Sequence, residues 1–440
     1  MAVVEEITNV ILVGLELDSS EDFDHSMEEM LSLIEACNME IVDVVRQKLP
    51  HPEAGTYLGR GKVEELKAAV IETGATYCIF EDNLSPAQLK NLQNVVGCEI
   101  WDRTTLILEI FSRRAKTREA RLQVESAYLQ YMLPRLSGMW QHLGRQGGGG
   151  GSRANKGVGE TQLELDRRQI NQRIAELRRE LDVISRTRSV QRQGRKRGTL
   201  PSVALVGYTN AGKSTIMNKM LTMSGGEEEK KVFQKDMLFA TLDTSIRRIH
   251  TESNKDFLLS DTVGFIENLP HSLIKAFRST LEEAAQADLI LVVLDVSDPY
   301  YRQHKKVTED TLKELEADTI PRIYVMNKAD LVPDVAETIP KMKGDEIWLS
   351  AEKEIGMQEL VDLILNTVYS GAQVLDLLVP FQRGDLMNLL HNQAHILSEE
   401  YVAEGTKVTV ECPERLLGEV REYVLGGLPE PEDELEEWEK

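Results

Sequence analysis

The sequence has little cysteine and no long apolar run. Its 440 residues contain four cysteines without CxxC spacing, which argues against a disulfide-stabilised scaffold or a zinc ribbon. These cysteines lie in apolar contexts, so we expect buried, reduced thiols at Cys37, Cys78, Cys98 and Cys412. The longest apolar runs, near Asn9 and Asp288, are much shorter than the ~20 residues of a membrane-spanning helix.

A basic N-terminal segment is also missing. The first ten residues, MAVVEEITNV, are acidic, whereas a secretory signal begins with a basic region. We therefore expect a cytoplasmic protein. Apolar residues make up 41% of the chain and charged residues 28%, as in soluble globular proteins. The length predicts about three domains.

Charge is distributed unevenly along the chain. The net charge of −22 argues against nucleic-acid binding by itself. Residues 112–200, however, contain 20 Lys and Arg against 8 Asp and Glu, while the remainder contains 31 and 65. A basic segment in an acidic protein is typical of a local contact with a polyanion. A solvated, arginine-rich helix face is the alternative.

Residues 1–102 alternate strand-like and helix-like segments. The runs NVILVGLEL, MEIVDVVRQ, TYCIF and CEIWD predict strands, and the segments between them have helical apolar spacing. This alternation predicts a parallel sheet with packed helices. Ser85 and Pro86 predict a helix N-cap and first turn. GRGKVEE, at 59–65, lacks the full pattern of a phosphate-binding loop, so we predict a capped helix start there instead of a second nucleotide site.

Residues 103–198 predict two long helices. The first has a leucine face and a proline, Pro134, that predicts a bend near its end. The second repeats apolar residues at spacings of seven, four, three, four and three: Leu163, Ile170, Ile174, Leu177, Leu181 and Ile184. Heptad spacing predicts an antiparallel hairpin or a dimer seam, and the short return loop favours the hairpin and a monomer.

A glycine-rich, basic loop at about residues 144–160 joins the two helices. Its five consecutive glycines predict a mobile segment without a core of its own. A linker without further function is one interpretation, and contact with RNA is the other. The candidate RNA contacts in the loop and just after it are Arg145, Arg153, Lys156, Arg167 and Arg168.

The predicted fold class is α/β and multidomain. Residues 199–370 alternate strand and helix again and predict a central domain with a doubly wound sheet. Residues 371–428 predict a small C-terminal α/β domain with the order strand, helix, two strands, helix. Residues 429–440 are acidic and predict a disordered tail.

The stretch ALVGYTNAGKST contains the phosphate-loop pattern Gly207-x-x-x-x-Gly212-Lys213-Ser214. A strand-like segment precedes it and a helix-like segment follows it, which is the context that such a loop requires. Its backbone N–H groups would face the β-phosphate. Lys213 would reach the β- and γ-phosphates, and the Ser214 hydroxyl would bind Mg²⁺.

The motif Asn327-Lys328-x-Asp330 indicates GTP rather than ATP. The Asp330 carboxylate can accept hydrogen bonds from guanine N1–H and the 2-amino group. Adenine lacks this donor pair and would leave the carboxylate unpaired. The Lys328 stem can lie along the base, and Ser350-Ala351 can offer a backbone N–H to guanine O6.

Two further segments predict the switches of a GTPase. In Asp261-x-x-Gly264, Asp261 would hold Mg²⁺ through water and the Gly264 amide would meet the γ-phosphate. In LFATLDTS, the Thr241 hydroxyl would complete the metal shell, with Thr244 as the alternative.

We expect Lys213, Thr241 and Gly264 to act in catalysis, and Ser214 and Thr241 to bind the metal. The predicted GTP-binding residues are Gly207, Tyr208, Thr209, Asn210, Ala211, Gly212, Lys213, Ser214, Thr215, Phe239, Ala240, Thr241, Asp261, Thr262, Val263, Gly264, Asn327, Lys328, Asp330, Ser350, Ala351 and Glu352.

These motifs, together with GETQLELDRR (159–168), YLGRGKVEEL (57–66) and the helical hairpin, resemble the HflX family of translation-associated GTPases over nearly the whole chain. The resemblance implies hydrolysis of GTP to GDP and phosphate, binding to the large (50S) ribosomal subunit and its rRNA, and splitting or rescue of stalled or stressed ribosomes. A ribosome assembly factor, or an RNA-binding or remodelling protein with GTP as its switch, is the alternative. We expect no DNA partner.

Phe265 follows Gly264, where many GTPases have a glutamine that orients the attacking water. Phenylalanine cannot do so, and we expect slow hydrolysis that a partner accelerates. Arg247 and Arg248 are candidates for an internal substitute. Asn210 is a candidate for holding K⁺, with a role in capping the loop as the alternative.

Overall fold

The computed structural model describes residues 8–18, 22–139, 154–197, 200–225, 239, 245–251, 255–266, 283–412 and 416–426. The side chains of 136–139, 154–163, 188–197 and 392–393 are outside that description. None of the helices in these ranges is both long and apolar enough to cross a membrane.

The N-terminal unit is a four-stranded parallel sheet in the order β2-β1-β3-β4. Its elements are β1 (Thr8–Leu17), α1 (Phe23–Ala36), β2 (Met39–Leu49), α2 (Arg60–Thr73), β3 (Tyr77–Phe80), α3 (Pro86–Val96) and β4 (Glu99–Trp101). Alternate β1 residues face opposite cores, with Val10 and Leu12 towards α1 and with Ile11 and Val13 towards α2 and α3. The parallel α/β prediction is confirmed.

The starts of two of these helices are fixed in different ways. Ser85 caps α3 and forms a reciprocal capping box with Gln88, as the Ser85-Pro86 pair predicts. Gly59 is the N-cap of α2, and no side-chain hydrogen bond caps this helix. The Gly59 N–H donates instead to Gln47 Oε1 of β2 at 3.0 Å.

A helical arm follows the N-terminal unit. It comprises α4 (Arg103–Arg114), α5 (Arg118–Met139) and α6 (Ala154–Arg197). The heptad residues Ile174 and Leu177 are buried, and Arg173 of α6 pairs with Glu125 of α5 through two bonds of 2.7 and 3.0 Å. The paired helices agree with the predicted hairpin.

The predicted loop at 144–160 is too long at its C-terminal end, because residues 154–160 already belong to α6. The loop prediction rests on the five consecutive glycines at 147–151 and extends over Gly157 and Gly159, but an isolated glycine costs a helix only ~1 kcal/mol relative to alanine. A helix of 44 residues accommodates that cost. Pro134 lies inside α5.

The central unit is a seven-stranded sheet in the order β10-β11-β9-β8-β5-β7-β6. Its elements are β5 (Ser202–Gly207), α7 (Lys213–Met223), β6 (Ser245–Ile249), β7 (Phe257–Asp261), β8 (Leu289–Asp295), α8 (Tyr301–Glu314), β9 (Arg322–Asn327), α9 (Pro333–Ala336), β10 (Lys341–Lys343), β11 (Glu346–Trp348) and α10 (Met357–Val368). Helices α7 and α10 pack on one face and α8 on the other. This is the predicted doubly wound sheet.

The C-terminal unit is a three-stranded antiparallel sheet in the order β12-β14-β13. Its elements are β12 (Gln373–Val379), α11 (Gly384–Gln393), β13 (His395–Val402), β14 (Gly405–Cys412) and α12 (Leu417–Val420). Their order is the one that the sequence predicts. The domain boundaries at residues 102, 198, 370 and 428 remain predictions.

The thiol prediction holds in part. Cys37, Cys78 and Cys412 are buried and form no disulfide, but Cys98 is only half-buried. Its Sγ lies 3.2 Å from that of Cys78 on the neighbouring strand.

Candidate functional site

The loop between β5 and α7 requires its glycines. Gly207 has φ +146°, and a Cβ on it would lie 2.2 Å from the Val293 carbonyl oxygen. Gly212 has φ +97°, and a Cβ there would lie 2.2 Å from Asn327 Nδ2. Any side chain at either position would therefore force the loop away from β8 or β9.

Lys213, the first residue of α7, lies buried inside this loop. Its Nζ donates to the carbonyl oxygens of Gly207 at 3.0 Å and Tyr208 at 2.7 Å. Burial lowers the pKa of Lys213 to about 8, although the nearby Asp261 carboxylate opposes this. The loop thus encloses a lysine whose charged form an anionic ligand would stabilise.

An oxygen-rich corner lies where β7 ends beside the loop. The Ser214 hydroxyl donates to Asp261 Oδ2 at 2.7 Å, because β5 and β7 are adjacent and parallel, with Leu205 opposite Asp261. A hydroxyl and a carboxylate together are the hard ligands that Mg²⁺ prefers. These two residues fit a magnesium ion.

Gly264 lies directly against the loop. A Cβ on Gly264 would approach Thr209 Cα to 2.8 Å and Lys213 Nζ to 3.0 Å. Phe265 next to it exchanges backbone hydrogen bonds with the loop, from Thr209 N to Phe265 O at 2.8 Å and from Phe265 N to Gly207 O at 3.1 Å. The Phe265 side chain is buried, and it offers no polar atom to a water molecule.

The motif at the end of β9 meets the phosphate loop directly. Asn327 Nδ2 donates to the Ala211 carbonyl oxygen at 2.9 Å, and Asn327 Oδ1 accepts from the Ala351 amide at 3.0 Å. Lys328 has φ +58° and pairs with Asp295 at 2.7 Å. One asparagine therefore joins the loop of residues 207–214 to the loop that follows β11.

Asp330 lies next to this junction and is held ionised. Burial opposes ionisation, but hydrogen bonds from Lys353 and Ser350 keep the pKa of Asp330 below its ordinary value. The Lys353 ammonium lies 2.9 Å from the carboxylate and is more than half exposed. An exposed lysine can move aside when another donor approaches.

The structure thus brings most of the predicted site to one edge of the seven-stranded sheet. Asn210, with φ +60°, and Glu352 are exposed at this edge, while Thr262 and Val263 are buried beneath it. Thr215 follows Ser214 in the first turn of α7. The Phe239 side chain contacts Phe111 of α4, with ring centroids 4.7 Å apart, and points into the core. Ala240, Thr241 and Thr244 lie outside the described residues.

Arg248, one of the two candidates for an internal catalytic arginine, forms an ion pair on β6. Its guanidinium is paired with Asp256 at 2.7 Å. Arg248 lies opposite Leu258 in the β6–β7 ladder, three residues before Asp261 along β7. The ion pair holds its charge at the opposite end of the ladder from the phosphate loop. Arg247, beside it, donates to the Ile246 carbonyl oxygen at 3.0 Å.

The candidate RNA contacts are only partly described. Arg167 and Arg168 are exposed on α6. Arg145 and Arg153 lie outside the described residues, and Lys156 is in α6 with its side chain outside the description.

Sequence reasoning missed a group of residues on the other side of the phosphate loop. The hydroxyl group of Tyr208 donates to Glu29 of α1, a contact that the sequence does not predict. The Tyr208 ring stacks on His304 of α8, with centroids 3.8 Å apart. No local motif connects residues 29, 208 and 304, so only the packing of the two units reveals this contact.

Family models match three successive parts of the chain. Residues 24–112 match a model described as "GTP-binding GTPase N-terminal", and residues 114–195 match "GTP-binding GTPase Middle Region". Residues 202–328 match "50S ribosome-binding GTPase".

Relatives match nearly the full length. The GTPase HflX of Alkalihalophilus pseudofirmus is 42% identical over 427 residues, which cover 94% of this chain and 98% of that protein. The GTPase HflX of Caldanaerobacter subterraneus subsp. tengcongensis is 39% identical over 415 residues, or 94% and 93% of the two chains. The GTPase HflX of Escherichia coli is 38% identical over 406 residues, or 91% and 92%. The chain belongs to the HflX family of GTPases.

Proposed function

We propose that this ribosome-associated GTP hydrolase holds the phosphates of GTP at Gly207–Ser214 and the guanine at Asn327–Asp330 and Ser350–Ala351. The observation that carries the proposal is the double hydrogen bond of Asn327 to Ala211 and Ala351. One side chain thus bonds to both the phosphate loop and the loop that would contact the base. Asp330 would accept the two guanine donors once Lys353 moves aside.

The chain's own groups then act on the phosphates. Lys213 exchanges its carbonyl partners for β- and γ-phosphate oxygens, and the Gly264 amide meets the γ-phosphate. Ser214 and Asp261, together with Thr241, would hold Mg²⁺, which neutralises charge that develops on the phosphates. Asn210 is an exposed residue of the loop itself, where its side chain could hold K⁺. Equal hydrolysis rates in KCl and NaCl would contradict the role of K⁺.

Hydrolysis by the isolated chain is slow in this proposal. Orientation of the attacking water and stabilisation of the transition-state charge are the main sources of catalysis in phosphoryl transfer. Phe265 is buried and apolar, and Arg248 is held by Asp256. The large ribosomal subunit supplies the missing organisation when the chain binds it.

The helical arm would provide the contact with ribosomal RNA. It presents exposed Arg167 and Arg168 in the basic part of an otherwise acidic chain. α6 alone has 44 residues, which corresponds to a length of about 65 Å at ~1.5 Å per residue. A rigid rod of that length can enter a crowded subunit interface, and this supports splitting of stalled ribosomes by the GTP-bound form. The pairing of α5 with α6 within one chain supports a monomer.

The decisive experiment is GTP turnover by the purified chain, alone and with large ribosomal subunits, beside Lys213→Ala. Stimulation of about a hundredfold or more, absent in Lys213→Ala, is expected from partner-assisted phosphoryl transfer. Binding to the subunit without stimulation would favour an RNA-binding switch instead.

Splitting needs a separate measurement. Light scattering of intact ribosomes should fall after addition of the chain with GTP or a non-hydrolysable analogue, and should not fall with GDP. Stimulated turnover without any fall in scattering would favour the assembly-factor alternative.

A further inference from the structure

A buried ion pair between the N-terminal unit and the helical arm contacts the phosphate loop. Glu29 of α1 and Arg103 of α4 form a salt bridge with exposures of 8% and 1%. The hydroxyl group of Tyr208, in the phosphate loop, donates to Glu29 Oε1. Arg103 also approaches Ser26 of α1 at 3.5 Å. The Glu29 carboxylate is therefore held by Arg103 of the helical arm as well as by Tyr208 of the loop.

The backbone of Tyr208 belongs to the phosphate site. Its carbonyl oxygen accepts from Lys213 Nζ at 2.7 Å, and it forms an isolated parallel bridge with Phe265. A shift of Tyr208 would thus move a partner of the loop lysine and the segment that follows Gly264. The side chain of the same residue is the part that Glu29 holds.

The ring of Tyr208 is fixed as well. It stacks on His304 at an interplanar angle of 11°, and His304 Nε2 lies 3.4 Å from His25 Nε2 of α1. Burial lowers the pKa of His304, opposed by the Asp298 carboxylate and reinforced by His25. The neutral imidazole stacks on the tyrosine ring. Tyr208 is therefore held between α8 of the central unit and α1 of the N-terminal unit.

From these contacts we infer that Glu29 is a positioning residue for nucleotide binding: through Tyr208 it holds the phosphate loop in the shape in which Lys213 meets phosphates. In this inference Glu29 acts through Tyr208 and not by contact with the nucleotide. The inference rests on the proposed phosphate site at Gly207–Ser214. It makes the affinity for guanine nucleotides depend on a carboxylate that lies 179 residues away in sequence.

The physical basis is the character of the bond. A hydrogen bond to an ionised carboxylate is about twice as strong as one between neutral groups, and burial removes competing water. A buried ion pair adds little net stability, because the cost of desolvation offsets the attraction, but the Arg103 pair restricts where the Glu29 carboxylate can lie. Removing the tyrosine hydroxyl should therefore loosen the loop without emptying the space that the ring fills.

The test is the equilibrium and kinetics of binding of a fluorescent GDP to the full chain. Tyr208→Phe keeps the ring and its stacking on His304, and we expect the Kd to rise about tenfold with faster dissociation. Glu29→Gln keeps an acceptor but loses the charge, and we expect a rise of about threefold. The double variant should match Tyr208→Phe alone, because both changes break the same link.

The chain offers a matched control in Tyr131. Its hydroxyl donates to the buried Asp102 carboxylate, which Arg135 approaches at 3.3 Å. Tyr131→Phe therefore removes the same kind of bond between α5 and the start of α4, outside the phosphate loop. We expect a comparable loss of thermal stability and an unchanged Kd. A merely structural role for Glu29 would make Tyr208→Phe behave in the same way.

The outcomes separate this inference from the proposed function. An unchanged Kd for Tyr208→Phe, with Lys213→Ala unable to bind GDP, would overturn the role of Glu29 alone. Full GDP affinity in Lys213→Ala would overturn the phosphate site itself. An additive double variant would also contradict the inference, because Glu29 and Tyr208 would then act independently.

Discussion

Lys213 is a buried cation whose charge depends on what its loop holds. Burial lowers its pKa to about 8, opposed by Asp261, and phosphates would raise the pKa by stabilising the ammonium. Binding therefore takes up a proton once the pH exceeds the pKa of the free chain. We expect nucleotide affinity to be constant below that pKa, and to fall as the pH rises above it by up to about tenfold per unit.

Calorimetric titration in buffers of different ionisation enthalpy measures this proton uptake. The nucleotide-free fold should be checked by circular dichroism at each pH. Affinity that stays constant well above pH 8 would show that Lys213 is already fully charged in the free chain.

Asp330 is the residue that should decide between bases. Its carboxylate would accept from guanine N1–H and the 2-amino group, whereas xanthine presents a carbonyl oxygen in place of that amino group. Asp330→Asn offers an amide donor to this oxygen, and preference should shift from GTP to xanthosine triphosphate by about a hundredfold or more. Competition binding with both nucleotides measures the shift.

Asp334→Asn is the control for this change. Asp334 is an exposed carboxylate four residues further along the chain, and its replacement should leave GTP preference intact. Equal binding of GTP and xanthosine triphosphate by Asp330→Asn, with no shift from the unmodified chain, would contradict a role for Asp330 in base selection.

The helical arm depends on a few buried side chains between α5 and α6. Leu177 is fully buried in α6, whereas Leu165 in the same helix is 48% exposed. Leu177→Ala should lower the free energy of unfolding of the arm by about 2–4 kcal/mol through loss of apolar contacts and formation of a cavity. Leu165→Ala should cost less than ~1 kcal/mol.

Hydrogen exchange of α6 amides measures the stability of the arm directly. Faster exchange in Leu177→Ala, against near-normal exchange in Leu165→Ala, is the expected pattern. Equal effects of the two changes would mean that α6 gains little stability from its contact with α5.

The whole molecule combines a basic arm with acidic units on either side. Charge reversal of Arg167 and Arg168 to Glu should weaken binding to the large ribosomal subunit at every salt concentration and reduce the salt dependence of the binding constant. Cosedimentation across a series of KCl concentrations measures both. Lys341→Glu with Lys343→Glu, on the exposed edge strand β10, changes the net charge equally and should leave the salt dependence unchanged.

Much of the fold followed from the sequence because its signals are local. Apolar runs identified β1, β3 and β4, the Ser85-Pro86 pair identified the start of α3, and heptad spacing identified the face of α6 that meets α5. The prediction of a loop at residues 154–160 was wrong, because it gave more weight to the glycines than to the helical pattern that continues from residue 163. Helix ends are hard to predict because they depend on small differences in helix propensity between neighbouring residues.

The sequence by itself determined the phosphate-loop pattern, the base-recognition pattern and the strand that precedes each, because these motifs depend on neighbouring residues. Only the tertiary structure decided which groups surround them. It showed that Asn327 joins Ala211 to Ala351, that Asp256 holds Arg248 away from the phosphate loop, and that Glu29 holds Tyr208. Each of these contacts joins separate segments, and only the packing of one element against another decides which segments meet. Burial of Lys213, and hence its lowered pKa, likewise depends on tertiary packing, because Gly264 lies against the loop that encloses the lysine.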